Sequence, residues 1–172
     1  MTAALLCQVA LLAFHQITTF FDLAPFNGAR NYSKTERAGE MGVNAVLMLL
    51  APIGFAFHVK GLMIYGVIYY FVLFTIELVI WWVPYLTVPR GLWRRLCNYA
   101  LALGTSDFAS GDTLDRWYVT YERLHSKTII VVPRRAGRVV PNLEHMLLHG
   151  LTLMTAVVTA FAFRAQAELA GV

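Results

Sequence analysis

Charged residues are scarce in this chain. Only 14% of its 172 residues are Asp, Glu, Lys or Arg, whereas 58% are hydrophobic. An ordinary soluble domain carries about 25% charged residues and about 45–50% apolar ones. The shortage of charge therefore excludes the ordinary soluble class, and the composition predicts a membrane protein.

Cysteine is also rare, with Cys7 in an apolar stretch and Cys97 in a basic connection. Neither location favours a structural disulfide, and we assign the two thiols no chemistry. The sequence has no internal repeat and no low-complexity tract, which argues against a repeat architecture. Residues 1–172 are therefore predicted to form a single integral membrane domain.

Long apolar runs account for the high hydrophobic content. A helix needs about 20 mostly apolar residues to cross the core of a bilayer. The stretches that meet this requirement are residues 3–23, 39–57, 62–83 and 143–163. None alternates in twos, which argues against an outer-membrane barrel. The predicted fold is all-α, a polytopic membrane protein with four transmembrane helices, and the first stretch is expected to be a span rather than a signal peptide.

The basic residues are concentrated in two connections, one after the first span and one after the third. They are Arg30, Lys34 and Arg37, followed by Arg90, Arg94, Arg95, Arg116, Arg123, Lys127, Arg134, Arg135 and Arg138. Because successive spans alternate in direction, both connections lie on the same side, which the positive-inside rule makes cytoplasmic. We expect a multi-pass protein of a bacterial-type inner membrane with both termini outside. Anionic lipid headgroups, and no nucleic acid, are the partners that these arginines indicate.

The cytoplasmic connection between the third and fourth spans, residues 84–141, is predicted to contain amphipathic helices. Residues 92–103 have arginines on one side and apolar side chains on another, as in a helix that lies in the membrane interface. Asp112 is expected to cap a second helix, which brings His125 towards the bundle or the lipid. Residues 128–140 suggest a small β-hairpin. Trp81 and Trp82, at the end of the third span, indicate an aromatic interface belt.

The clearest candidate site lies at the start of the fourth span, in residues 141–150. His145 and His149 are four residues apart, which places them on one face of a helix, and Glu144 lies beside them. Ionisable groups in a span are costly, so they suggest a function, and this spacing is typical of metal ligands. The alternative is that the imidazoles satisfy polar neighbours inside a packed bundle.

The other spans also carry polar residues near their predicted cytoplasmic ends. His15 lies late in the first span, Glu40 and Asn44 lie early in the second, and Glu77 lies late in the third. At 1.5 Å of rise per residue these groups can share one layer with His145 and His149. His15 can equally hold helices together by hydrogen bonding, and Glu40 can pair with an arginine.

The residue types of this layer suit a metal-dependent enzyme. The candidate metal ligands are His15, Glu40, Glu77, His145 and His149. Imidazoles with carboxylates favour zinc or iron, either of which can activate water against a lipid ester or amide or support oxidation of an apolar substrate. The candidate catalytic residues are His125 and Glu144, and the candidate substrate-binding residues are Arg30, Asn44 and Arg138.

Two other classes of function use the same residues. The polar layer can be a pocket for a proton, an ion or a small molecule in a transporter, or it can hold haem, with His15 and His149 as axial ligands. It can also lock the helices of a structural subunit, either in an oligomer or in a larger membrane complex. In the enzyme interpretation the partner is a membrane lipid or a lipophilic small molecule.

Overall fold

The computed structural model describes residues 1–104 and 113–169, and every regular element in these ranges is helical, with no strand. The α-helices are α1 (Thr2–Phe20), α2 (Lys34–Ala56), α3 (Lys60–Glu77), α4 (Val83–Leu86), α5 (Gly91–Gly104), α6 (Thr113–Leu124) and α7 (Leu143–Leu169). A 3-10 helix (Ala29–Asn31) lies between α1 and α2, and a π-helix (Leu78–Trp82) joins α3 to α4.

Four helices in the described ranges are long and apolar enough to cross a membrane. They are α1, α2, the continuous helix Lys60–Leu86 and α7. The prediction of an all-helical chain with four such helices is therefore confirmed. Lipid offers no water to bond to the backbone N–H and C=O groups. An apolar run of this length can therefore cross it as a helix, in which these groups bond to one another.

The start of α2 differs from the predicted one, because capping bonds determine its first residue. α2 begins at Lys34 rather than near residue 39 because Ser33 and Glu36 form a capping box. The Ser33 hydroxyl accepts a hydrogen bond from the Glu36 N–H at 3.1 Å, and the Glu36 carboxylate accepts one from the Ser33 N–H at 2.8 Å. These bonds satisfy two backbone donors that a helix start would otherwise leave exposed.

Packing divides the chain into two units, each described here by itself. The first contains residues 1–21, 33–74 and those from 147 onward. Its core is a cluster of buried side chains from all four long helices, namely Leu11, Met48, Ala51, Tyr70 and Ala156. Gly66 permits close approach of α3 to α2, since a Cβ there would lie 2.8 Å from the Ala51 Cβ. Small residues at such crossings are typical of membrane helices.

The second unit contains residues 22–32 and 75–146. Its aromatic core contains Trp81, Tyr85, Tyr121, Val139 and Val140. A neighbouring cluster of Cys97, Leu101 and Leu114 packs α5 against α6. The Arg94 guanidinium also meets the Asp115 carboxylate at 2.9 Å, so the two helices of the long connection are joined by apolar and polar contacts.

A π-helical turn shapes the end of the third long helix, and Pro84 accounts for it. Proline has no N–H, so Pro84 cannot donate to the Ile80 carbonyl as an α-helical residue would. The Val83 N–H bonds to the Leu78 carbonyl, five residues back. The Ile80 carbonyl instead accepts a bond from Trp117 Nε1 at 3.0 Å. The extra residue in this turn rotates the preceding side chains relative to a regular α-helix.

The predicted β-hairpin at residues 128–140 is wrong. No strand is assigned there, although the segment is rich in β-branched residues. The Ile129 N–H bonds to the Pro25 carbonyl at 2.9 Å, and the Ile129 carbonyl accepts the Leu143 N–H at 2.8 Å. These backbone groups therefore join the segment to the 22–32 loop and to the start of α7 rather than to a second strand.

The predicted amphipathic helix at residues 92–103 is confirmed as α5. Cys97 and Leu101 are buried against α6, whereas the opposite side of α5 is exposed. The exposed side carries large apolar residues, namely Leu92, Trp93, Leu96 and Tyr99. Asp112, the predicted cap of the next helix, lies outside the described residues.

Candidate metal centre

His125 follows the last residue of α6 and is held there by the 22–32 loop. Its N–H still bonds to the Tyr121 carbonyl at 2.8 Å, so it continues the helical hydrogen-bond pattern. Asn31 donates to the Leu124 carbonyl at 3.4 Å, and Arg123 donates to the Asn31 carbonyl at 2.9 Å. The last carbonyls of a helix have no donor within the helix, and Asn31 supplies one to the Leu124 carbonyl. This bond helps to set the position of His125, the next residue.

Glu144 and His145 lie in the first turn of α7, which Asn142 caps. The Asn142 side-chain oxygen accepts a bond from the His145 N–H at 2.9 Å, as its position before the helix predicts. Pro141 precedes this cap. The start of α7 is therefore defined by local chemistry, and it presents Glu144 and His145 at a fixed place in the second unit.

His125, Glu144 and His145 come together in the second unit. One possible ligand atom from each lies within 4.8 Å of the other two. The His145 Nδ1 atom is 3.9 Å from a Glu144 carboxylate oxygen, and the two imidazole rings meet edge to face with centroids 4.8 Å apart. Two nitrogen ligands and one oxygen ligand are thus available from two segments nearly 20 residues apart in the sequence.

Aromatic side chains surround this group. The Trp81 ring lies 3.9 Å from the His145 ring and 5.2 Å from the His125 ring, measured between centroids. Trp117 and Tyr121 also lie close to His125, with centroids 6.2 and 6.3 Å away. His125 is only 2% exposed as a result. Such a wall lowers the local dielectric response and strengthens any electrostatic interaction inside it.

The surroundings keep His125 neutral. Burial, and after it the cationic guanidinium of Arg123, lower the pKa of His125 to about 3. The neutral imidazole is the form that binds metals, because it carries a lone pair on one nitrogen. Its buried Nδ1 atom has no hydrogen-bond partner among the described residues. His125 is therefore a better candidate for a ligand than for a group that gains a proton near neutral pH.

The three groups fit the ligand chemistry of zinc. Catalytic zinc sites commonly use two histidines and one glutamate, and leave a fourth position for water. Tetrahedral ligands at about 2.0–2.1 Å from zinc lie about 3.3 Å from one another. The 4.8 Å span of the present group is wider, so an ion would draw the side chains together by rotation.

The other residues predicted to form the site are divided between the units. His15, Glu40 and His149 belong to the first unit, where the His15 Nε2 atom is 3.8 Å from a Glu40 carboxylate oxygen. Glu77 belongs to the second unit and is 6% exposed. The single layer formed by all of these residues, and the axial pair of His15 and His149 for haem, stay predictions.

The residues predicted to bind substrate have neighbours within their own segments. Arg30 pairs with the Asp22 carboxylate at 3.1 Å and is exposed. The Asn44 amide donates to the Glu40 carbonyl at 2.9 Å, within the same helix. Arg138 is half-buried, and its N–H donates to the Arg135 carbonyl at 3.2 Å. Their role with a substrate stays a prediction.

Trp81 is the residue that the sequence analysis placed wrongly. We predicted that Trp81 and Trp82 form an aromatic belt at the membrane interface, but Trp81 is 3% exposed and its ring contacts the His145 ring at a tilt. The π-helical turn lies at this point of the chain and is associated with the inward position of the ring. Pro84, three residues further on, is the sequence signal that points to a break in the regular helix.

Comparisons of the chain with protein-family models, with curated proteins and with solved structures give no match. In the described part of the chain, the fold and the site together define a helical protein with four long apolar helices and a His/His/Glu group in its second unit.

Proposed function

We propose that this chain is a multi-pass membrane protein that binds a divalent transition metal, zinc or iron, through His125, Glu144 and His145. We further propose that the protein is an enzyme, which uses the bound metal to act on a lipophilic substrate. The observation that carries the proposal is the approach of three ligand groups to within 4.8 Å of one another inside an aromatic wall.

The surfaces of the long helices support a membrane location. Large apolar side chains such as Leu6, Val46, Ile68 and Phe161 are exposed. Each of the four long helices therefore exposes apolar side chains, as expected for helices that lipid surrounds. In the proposed topology the basic connections face the cytoplasm and both termini face outward, as expected for a bacterial-type inner membrane.

The proposed chemistry is hydrolysis of a lipid ester or amide, with oxidation of an apolar substrate as the alternative for iron. A zinc ion lowers the pKa of bound water to about 7 and polarises a carbonyl group. The residues of this chain provide the neutral His125 nitrogen, the Glu144 carboxylate and the His145 imidazole as ligands. The Trp81 ring lies against one side of the His145 ring and would keep this ligand in place.

The deep burial of His125 favours a second function, a structural metal site. Structural zinc sites are closed, whereas catalytic ones keep a position open for water or substrate. A closed site here would fasten the end of α6 to the start of α7 in a subunit of an oligomer or a larger membrane complex. X-ray absorption of the zinc-loaded protein with and without added azide distinguishes the two, because only a catalytic site has an open position that the azide can occupy.

The metal content of the purified full-length chain tests the proposal. We expect about one zinc or iron ion per chain in detergent or nanodiscs, as for a mononuclear site. His125→Ala, Glu144→Gln and His145→Ala should each lose the metal. His58→Ala is the matched control, because His58 lies between α2 and α3 and belongs to the first unit.

Two further variants separate the proposed ligands from the set predicted by sequence. His15→Ala and His149→Ala should retain the metal if His125, Glu144 and His145 bind it, and should lose it if the four-span layer binds it. Retention of the metal by all three variants of the proposed ligands would overturn the metal centre. Loss of lipid ester or amide hydrolysis on chelation, with recovery on adding zinc, would support the enzymatic part.

A further inference from the structure

Asn142 makes a set of buried hydrogen bonds that helix capping alone does not require. Its side-chain oxygen accepts the His145 main-chain N–H at 2.9 Å and lies 2.7 Å from the His145 ring atom Nδ1. Its side-chain nitrogen donates to the Thr128 hydroxyl at 2.8 Å. Asn142 is fully buried, so each of these polar contacts replaces water.

Thr128 extends the chain of hydrogen bonds to His125. The Thr128 hydroxyl donates to the His125 carbonyl at 2.6 Å, and the Thr128 N–H bonds to the same carbonyl at 3.1 Å. One continuous series of contacts therefore connects the main chain of His125 with the imidazole of His145. Its intermediate members, Thr128 and Asn142, are both buried.

The donors and acceptors of this series determine the tautomer of His145. The Thr128 hydroxyl uses its only hydrogen on the His125 carbonyl, so it must accept from the Asn142 amide nitrogen. The Asn142 oxygen must then face His145, where it already accepts the main-chain N–H. A carbonyl oxygen cannot donate, so the His145 Nδ1 atom must carry a hydrogen. In a neutral imidazole this leaves the lone pair on Nε2.

We propose that Asn142 and Thr128 are positioning residues that hold His145 as its Nδ1–H tautomer and set its place relative to His125. Metal-bound histidines usually donate their second ring nitrogen to a carbonyl or carboxylate in this way, which orients the ring and makes it a better ligand. The consequence for metal affinity rests on the proposed function. The tautomer does not, because it is a property of the metal-free protein.

Capping of α7 is the simpler role for Asn142, and Asn142→Ser separates it from positioning. Serine is as good a helix cap as asparagine. Its shorter side chain ends one atom earlier and gives up the bond to the imidazole. Asn142→Asp is the complementary variant, because a carboxylate can accept both the main-chain N–H and the ring N–H. If Asn142 only caps the helix, both variants should behave like the unchanged protein.

The first measurement is nitrogen NMR of histidine-labelled, metal-free protein in nanodiscs, in which the ring shifts report the tautomer. The His145 signals are identified by their loss in His145→Ala. We expect the Nδ1–H form in the unchanged protein and in Asn142→Asp, and a gain of the Nε2–H form in Asn142→Ser. An Nε2–H form in the unchanged protein, or no change in Asn142→Ser, would overturn the inference.

The second measurement is zinc affinity by chelator competition, with thermal stability recorded in parallel. We expect Asn142→Ser and Thr128→Val to bind zinc about 10–100-fold more weakly, the usual loss when a group behind a ligand is removed. Thr128→Ser should stay near the unchanged affinity, and so should Asn142→Asp, in which the Thr128 hydroxyl can turn its hydrogen to the new carboxylate. Asn142→Ser loses two buried hydrogen bonds, so thermal unfolding checks that this variant still folds. Equal affinity in all four variants would overturn the positioning role. Absence of zinc binding in the unchanged protein would refute the proposed zinc site. The inference about Asn142 and Thr128 would then be tested by the NMR measurement of the His145 tautomer alone.

Discussion

The indole ring of Trp81 lies against the imidazole of His145, with 3.9 Å between the ring centroids and 35° between the ring planes. The same indole meets the His125 ring at 5.2 Å. A single aromatic side chain therefore contacts both histidines of the candidate metal centre. Its fluorescence should report on what binds there.

Trp81 should act as a spectroscopic sensor of the site. Cobalt(II) can replace zinc in sites with histidine and carboxylate ligands, and its open d shell quenches a nearby indole. We expect cobalt to quench part of the protein fluorescence, and Trp81→Phe to lower the quenched fraction, although Trp117 also lies 6.2 Å from the His125 ring. Trp82→Phe is the matched control and should keep the response, because Trp82 is the neighbouring residue and its ring packs edge to face on Tyr85, with 5.9 Å between the centroids. Equal quenching in Trp81→Phe would place the ion elsewhere.

Gly28→Ala should disturb His125 through the main chain. A Cβ at Gly28 would collide with the Leu124 carbonyl oxygen and would lie 3.5 Å from the His125 Nδ1 atom. Backbone groups cannot move aside as a flexible side chain can, so we expect a loss of about 1–3 kcal/mol of stability, the range for overpacking. Zinc affinity should fall with it by about 10-fold, as when support behind a ligand is lost. Thermal unfolding and chelator competition measure the two effects.

Gly39→Ala is the control for that substitution. A Cβ at Gly39 meets nothing within 4 Å, and the residue lies inside α2. Alanine is favoured over glycine inside a helix, so stability should be unchanged or slightly higher. If Gly28→Ala behaved like Gly39→Ala, the loop at residues 22–32 would not hold the end of α6 as closely as the geometry indicates.

Trp117 should stabilise the π-helical turn by satisfying a carbonyl that Pro84 leaves without its helical donor. Trp117→Phe keeps a ring but removes the N–H that bonds to Ile80 at 3.0 Å. The bond is half-buried, so we expect a loss of about 1 kcal/mol, the net contribution of a typical hydrogen bond. Pro84→Ala supplies a new N–H and should recover part of the loss in the double variant. Thermal unfolding measures this, and simple additivity of the two substitutions would contradict the shared carbonyl.

The sequence predicted the features that depend on composition or on local chemistry. Four apolar runs predict four helices, and the Asn142 cap and the pair Glu144–His145 mark the start of the fourth. The helical spacing of the apolar residues in α6 predicted that His125 lies near the bundle. Its direct approach to Glu144 and His145 could not be predicted, because it depends on bonds between distant segments such as Ile129 to Pro25. No periodicity encodes such bonds, and the same bonds replace the expected hairpin.

The exposed side of α5 should lie at the lipid interface, as its sequence predicts. Trp93, Leu92, Leu96 and Tyr99 are exposed on this helix, and Arg95 lies among them. Apolar side chains next to arginines favour the boundary between headgroups and acyl chains of anionic lipid. Brominated lipids quench tryptophans within contact range, so Trp93 should be quenched most by bromine near the headgroup end of the chain. The Trp93 signal is obtained as the difference from Trp93→Phe, and the buried Trp81, isolated in the same way, provides the reference for a shielded indole. Emission from Trp93 that is typical of water and insensitive to bromine at every depth would contradict the interfacial position.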